Sequence, residues 1–167
     1  MRIFTFILLC CCGTALFAQD QATQQTPALD TIAFTLSEHN NLVIEAILNE
    51  TDTLQLMLHT AVSGLSLTSA ATEQMSLQLS EPNTVESWGG QNESRYSLYN
   101  AMAIGAFQWD SLTIWENEHS GHGTDGKFGP DLFGDRLLEL NFEQQYLVLH
   151  HQLPTLAEEY QALPLIE

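Results

Sequence analysis

The stretch Leu42–Leu67, LVIEAILNETDTLQLMLHTAVSGLSL, decides the fold. Leu42 to Leu48 is an apolar run broken only by Glu45. Asn49-Glu50-Thr51-Asp52 follows as a polar turn, and Thr53 to Leu58 then places Leu54, Leu56 and Leu58 on one face at period two. Two strand-like runs joined by a short polar turn predict a β-hairpin. His59 to Gly64 interrupts the pattern, and Leu65-Ser66-Leu67 resumes it. Thr68 or Ser69 is placed to cap a short helix running through Met75, with Glu73 in its first turns.

Working outward, Thr31 to Leu36 reads as a strand and Ser37 to Asn41 as a turn. Thr84 to Ser87 and Arg95 to Met102 are strand-like on either side of the turn Trp88–Asn92. Met102–Ile104, the turn Gly105-Ala106 and Phe107–Trp115 predict a further strand pair. Glu116 to Gly126 is a polar, glycine-containing loop. From Arg136 to Phe142 the chain alternates, with Leu138, Leu140 and Phe142 on one side and Leu137, Glu139 and Asn141 on the other. Glu143 to Gln145 turns the chain, Tyr146 to His150 pairs back, and Thr155 to Leu163 is expected to be helical behind Pro154. Short strands separated by turns every eight to twelve residues or so predict an all-β barrel or sandwich with minor helices.

The two ends read differently. Met1-Arg2, the apolar run Ile3–Cys12 and the small residues before Ala18 have the order of a secretory signal peptide, with cleavage expected after Ala18. The run is too short to span a bilayer, so no membrane span is expected. Export to the outside, the periplasm or the cell envelope follows. All three cysteines (Cys10, Cys11, Cys12) lie in this leader, which leaves either a lipid attachment site there or a mature chain without thiols. Residues 19–28 are a flexible lead-in, 29–152 the folded domain, and 153–167 a C-terminal linker or helix. The net charge is −17, and loss of the leader leaves only Arg95, Lys127 and Arg136 as basic residues. A field of that sign repels phosphates, which excludes nucleic acid as a partner.

With a second stretch, Thr124–His150 (TDGKFGPDLFGDRLLELNFEQQYLVLH), the first stretch resembles the retropepsin-like aspartic protease family. In that family a hairpin strand ends in Asp-Thr-Gly-Ala; the matching residues are His59, Thr60, Ala61 and Val62. Trp88-Gly89-Gly90 matches the flap-side turn, and Asp125, Gly126, Phe128 and Gly129 match the second motif. The resemblance covers about residues 32–150 and implies a retropepsin-like β-barrel lobe with one or two short helices. It also implies a groove for extended peptide, and a homodimer or a second lobe.

The departures bear on activity. Aspartic proteolysis needs two carboxylates that share one proton around a water, and here an imidazole stands at that position. Ala61 replaces the family's glycine; Thr60 is retained. The implied protein is inactive. An active peptidase using a noncanonical acid such as Asp110, Asp125 or Asp131, or an acid from a partner chain, stays open, as does a purely structural envelope module. His119 and His122, with Glu116, Glu118 and Asp125, are candidate metal ligands, but Gly121 and Gly123 make the segment a solvated loop and neither metal nor cofactor is expected. His150-His151 reads as surface. No G-x-S-x-G context surrounds Ser63 or Ser66.

Overall fold

Alternating apolar residues bury one face of each strand, and the strands meet by closing that face around a common interior. The structure, a computed structural model, describes residues 31–87 and 90–164. The leader, the lead-in, Trp88 and Gly89 lie outside the described residues. In chain order the elements are β1 (Thr31–Ala33), β2 (Thr35–Leu36), β3 (Leu42–Leu48), β4 (Asp52–Leu58), β5 (Leu65–Leu67) and α1 (Ser69–Gln74). Then come β6 (Asn83–Ser87), β7 (Gly90–Ser94), β8 (Tyr96–Ile104), β9 (Phe107–Glu116) and β10 (Gly126–Phe128). A 3-10 turn at Pro130–Phe133, β11 (Leu137–Asn141), β12 (Tyr146–His150) and a 3-10 turn at Thr155–Glu159 complete them.

The main sheet runs β2-β3-β4-β10-β5-β9-β8, and β8 pairs back onto β3 through Ile47↔Ala103 and Leu48↔Met102. Strands β3, β4, β10, β5, β9 and β8 therefore form a closed six-strand barrel. Its interior holds Leu48, Leu54, Leu56, Leu67, Ile104, Ile114 and Phe128, all fully buried. A separate sheet, β1-β12-β11, packs Leu147 and Leu149 into the same core, and β6 and β7 form a two-stranded hairpin.

The hairpin read from Leu42–Leu58 is present as β3 and β4, with six cross-strand pairs from Val43↔Met57 to Leu48↔Asp52. Asn49 and Glu50 carry it around with consecutive positive φ of 47° and 65°. Asn49 also braces the barrel seam. Its backbone N–H donates to Ala101 O at 2.8 Å, and its Oδ1 accepts from Ala101 N at 2.9 Å. Its Nδ2 donates to the buried Asn100 Oδ1 at 3.2 Å. Asn100 sits where the β8–β9 register shifts, and the bulge throws Tyr99 out with φ 60°. The helix starts where expected: Thr68 Oγ1 accepts from Ala71 N at 3.1 Å, satisfying one of the free N–H groups of the first turn.

Several expectations need correction. Thr31–Leu36 is not one strand. Phe34 turns inward, buried, and its N–H donates to Gln145 O. The chain thus pairs with β12 before Phe34 and with β3 after it. The two strands expected at Arg95–Met102 and Met102–Ile104 are a single strand, β8, from Tyr96 to Ile104. The loop expected through Gly126 ends one residue earlier, because Gly126 begins β10. The C-terminal helix is only the 3-10 turn Thr155–Glu159; Tyr160 is extended, and residues 158–164 are exposed, so no burial supports a longer helix. The alternation of Arg136–Phe142 does not sort the residues by burial: Leu138 is half-buried, but Leu140 and Phe142 are exposed, as is Leu137. Strand β11 is the sheet's edge, and one side of it has no strand partner among the described residues.

Candidate functional site

Strand β10 lies between β4, to which it is parallel, and β5, to which it is antiparallel. The loop joining β4 to β5, His59 to Gly64, must therefore pass around the end of β10. Its backbone is fastened there. His59 N donates to Phe128 O at 2.9 Å, and Gly129 N donates to Gly64 O at 2.9 Å. Gly64 N in turn donates to both carboxylate oxygens of Asp131, at 3.1 and 2.9 Å. Glycine is required at 129 by space, not by φ, which is −90°. A Cβ there would overlap the Val62 carbonyl oxygen and Asp131 Oδ1. Gly126 is fixed in the same way by the Ser66 carbonyl.

His59 is half-buried at the end of β4, and its Nδ1 accepts from Ala61 N at 3.2 Å. An Nδ1 that accepts leaves a ring proton on Nε2. Thr60 and Ala61 are exposed. The other acids considered have backbone duties: Asp125 Oδ2 accepts from Gln55 N at 2.7 Å, and Asp131 holds Gly64. Asp110 is exposed on β9. Among the described residues no hydrogen bond joins two of these carboxylates. Phe128 and Gly129 thus fasten the loop beside His59, whereas Asp125 and Gly126 sit at the other end of β10, Asp125 on Gln55 N and Gly126 against the Ser66 carbonyl; the turn residue Gly90 stands at the tip of the β6–β7 hairpin.

Beneath that hairpin runs a groove of about 700 Å³. Val85 and Glu93 line it from the hairpin, Trp115 and Glu116 from β9, and Ser66 and Lys127 from its floor. His59, Thr60 and Ala61 are not in its lining, but the groove shares β5 and β10 with their loop. Ser66 Oγ and the buried Ser120 Oγ lie 2.6 Å apart and close the floor from below.

The wall is held by an ion pair the sequence gave no sign of. Arg95 Nε donates to Glu116 Oε2 at 2.7 Å and Arg95 Nη2 to Glu116 Oε1 at 2.6 Å, a two-point contact. Thr72 Oγ1 donates to Glu116 Oε1 at 3.1 Å, tying α1 to β9. The Arg95 hydrogen bond, opposed by burial and helped by Thr72, holds the Glu116 carboxyl below the usual carboxylate range. A depressed folded-state value contributes stability above the unfolded-state value, about 4.3, and that contribution is lost as pH falls through the folded one. Protonating other carboxylates relieves self-repulsion in so acidic a chain and works the opposite way. Denaturant midpoints from pH 7 to pH 3 should therefore show wild type losing its advantage over Glu116→Gln as the pH falls. A constant difference would show that the pair is not coupled to folding. Added salt should shrink the effect, since the Arg95 side chain is 40% exposed.

The loop histidines separate. His119 lines the groove, and His122 lies against His39, ring centroids 4.9 Å apart. No group of three or more His, Cys, Asp or Glu gathers among the described residues. His150 is buried, not at the surface as its sequence position indicated, and its Nε2 is 2.7 Å from Glu139 Oε2.

No protein-family profile matches the chain, and no curated protein does. Solved structures do. A retropepsin-like aspartic protease from Rickettsia conorii superposes with a TM-score of 0.53 at 16% identity, covering 71% of this chain and 87% of that one. EIAV protease in complex with an inhibitor gives a TM-score of 0.46 at 16% identity, with 60% and 92% coverage. Identity at that level speaks for architecture alone, and the architecture is clear: this chain has the retropepsin-like fold, a closed six-strand barrel with one short helix.

Proposed function

We propose that this chain is an exported, catalytically silent retropepsin-like protein that binds peptide in extended form. The observation that carries the reading is His59. It stands at the strand end where the fold's chemistry requires an ionisable oxygen acid, and its Nδ1 is engaged with the loop's own backbone. A pair of such imidazoles, one from each of two lobes, has no negative charge with which to hold a shared proton. The carboxylate of Asp131 binds the backbone N–H of Gly64, and that of Asp125 binds Gln55 N at the other end of β10. The groove under the β6–β7 hairpin supports peptide binding by its size and by its open, strand-bordered shape.

Assembly with a second copy or a second lobe is part of the same reading. It is supported by the open edge of β11 and by the exposed Leu137, Leu140 and Phe142 along and just beyond it. The leader residues 1–18 support export. Among the described residues no helix is long and apolar enough to cross a membrane.

The test is peptide cleavage from acidic to neutral pH, with and without a pepsin-type inhibitor, for the native protein and for a His59→Asp, Ala61→Gly variant. The expected result is no inhibitor-sensitive cleavage by the native protein at any pH. Inhibitor-sensitive cleavage by the native protein would defeat the reading. Gain of activity by the variant would show that the rest of the site is competent and that the imidazole alone silences it.

A further inference from the structure

We infer that Lys127 is a carboxylate-recognition residue of the groove, so that the groove favours an extended peptide presenting one carboxylate, from an acidic side chain or from its own C-terminus. This rests on the peptide-binding reading above and names what the groove selects.

The placement follows from β10. Gly126 and Phe128 face inward and are buried, so Lys127 between them projects from the opposite face. Its antiparallel partner is Ser66 of β5, and the two side chains share the groove floor. The described basic residues then divide by what they meet. Arg95 is taken by Glu116. Arg136 lies over the Phe107 ring, 4.6 Å from its centroid. Lys127 is half-buried, and its ammonium has no ion-pair or side-chain hydrogen-bond partner among the described residues. A ligand carboxylate on the groove floor would give this ammonium the ion-pair partner that no described residue supplies. The hydroxyls of Ser66 and Ser69 border the same space, but Ser66 Oγ is paired with Ser120 Oγ and Ser69 bonds to Glu116, so the charge that meets a ligand carboxylate is that of Lys127.

The rest of the lining limits the selection to one anionic group. Glu116 is already neutralised by Arg95, but Glu93 and Glu118 are exposed along the groove and repel a second acid. The overall charge of −17 adds to that repulsion. A carboxylate flanked by neutral or basic residues fits both conditions, whereas an acidic run does not.

The experiment is fluorescence polarisation with positional pools of blocked octapeptides carrying Glu, Gln or Lys at one fixed position, together with neutral pools ending in a free carboxylate. The native protein should bind a Glu pool or the free-carboxylate pool about tenfold more tightly than the Gln pool, the size of one charge-assisted hydrogen bond partly open to water. Which of the two wins identifies the source of the carboxylate. The preference should vanish in Lys127→Met and reverse toward the Lys pool in Lys127→Glu, with both variants keeping the native circular dichroism and melting profile. Equal binding of Glu, free-carboxylate and Gln pools would overturn the inference and leave the peptide groove standing. So would a preference for the Lys pool in the native protein, or a Glu preference that survives Lys127→Met. Absence of binding by every pool would overturn both.

Discussion

Gly129→Ala should unfold the loop around β10 or the whole domain, costing more than about 3 kcal/mol. The argument is steric. Gly129 has an ordinary negative φ, so alanine meets no conformational penalty there. Its methyl would instead occupy the space of the Val62 carbonyl oxygen and of Asp131 Oδ1. Neither can move away freely. Asp131 is held by Gly64 N, and Val62 belongs to the loop that Gly129 N and Phe128 O fasten. Gly64→Ala is the contrasting control. Nothing lies within 4 Å of a Cβ at Gly64, but its φ of 71° is left-handed, so it should cost only about 1–2 kcal/mol. Denaturant unfolding of the two variants reads the difference directly. If Gly129→Ala costs no more than Gly64→Ala, the loop is not clamped as described.

Phe128→Ala should cost about 3–5 kcal/mol, a large part of the 5–15 kcal/mol that holds an ordinary domain together. Phe128 is fully buried in the barrel and meets Phe133 edge-on, centroids 5.9 Å apart at 81°. Phe133 also meets Phe107 and Trp109, whose Nε1 donates to Leu132 O at 3.0 Å. The cavity would therefore open against a ring cluster pinned by a hydrogen bond, which collapses poorly into it. Phe128→Leu keeps most of the volume and should cost clearly less. The Phe128 carbonyl also receives His59 N. NMR shifts at His59 and Ala61 should thus change in the alanine variant, though neither side chain is altered. An unfolding midpoint close to that of wild type would place Phe128 outside the core.

The parts of this fold that were legible in sequence are those whose signal is local. Leu54 and Leu56 announce a one-sided strand, and Thr68 announces a helix start, because period and capping act within a few residues. Strand β10 has no such signal. Three residues reading Gly-Lys-Phe carry no period, and two neighbouring strands made far earlier in the chain, β4 and β5, impose their extended form. The break at Phe34 was hidden for a related reason: alternation continues smoothly through it while the pairing partner changes. The candidate site was read from a family pattern that runs through His59 and Gly129. The Arg95–Glu116 clamp, the His39–His122 contact and the lack of a partner for Lys127 among the described residues depend on residues far apart in the chain, and no spacing rule brings them together.

Threading β10 between β4 and β5 also sets an order of events during synthesis. The two flanking strands leave the ribosome with an empty lane between them, and the segment that fills it follows only after α1 and strands β6 to β9 have been made. Until then, the backbone amides and carbonyls that face the lane have only water as a partner. Any stall or break before Gly126 would leave a nascent chain with a strand-wide gap, open to an extended segment from another molecule.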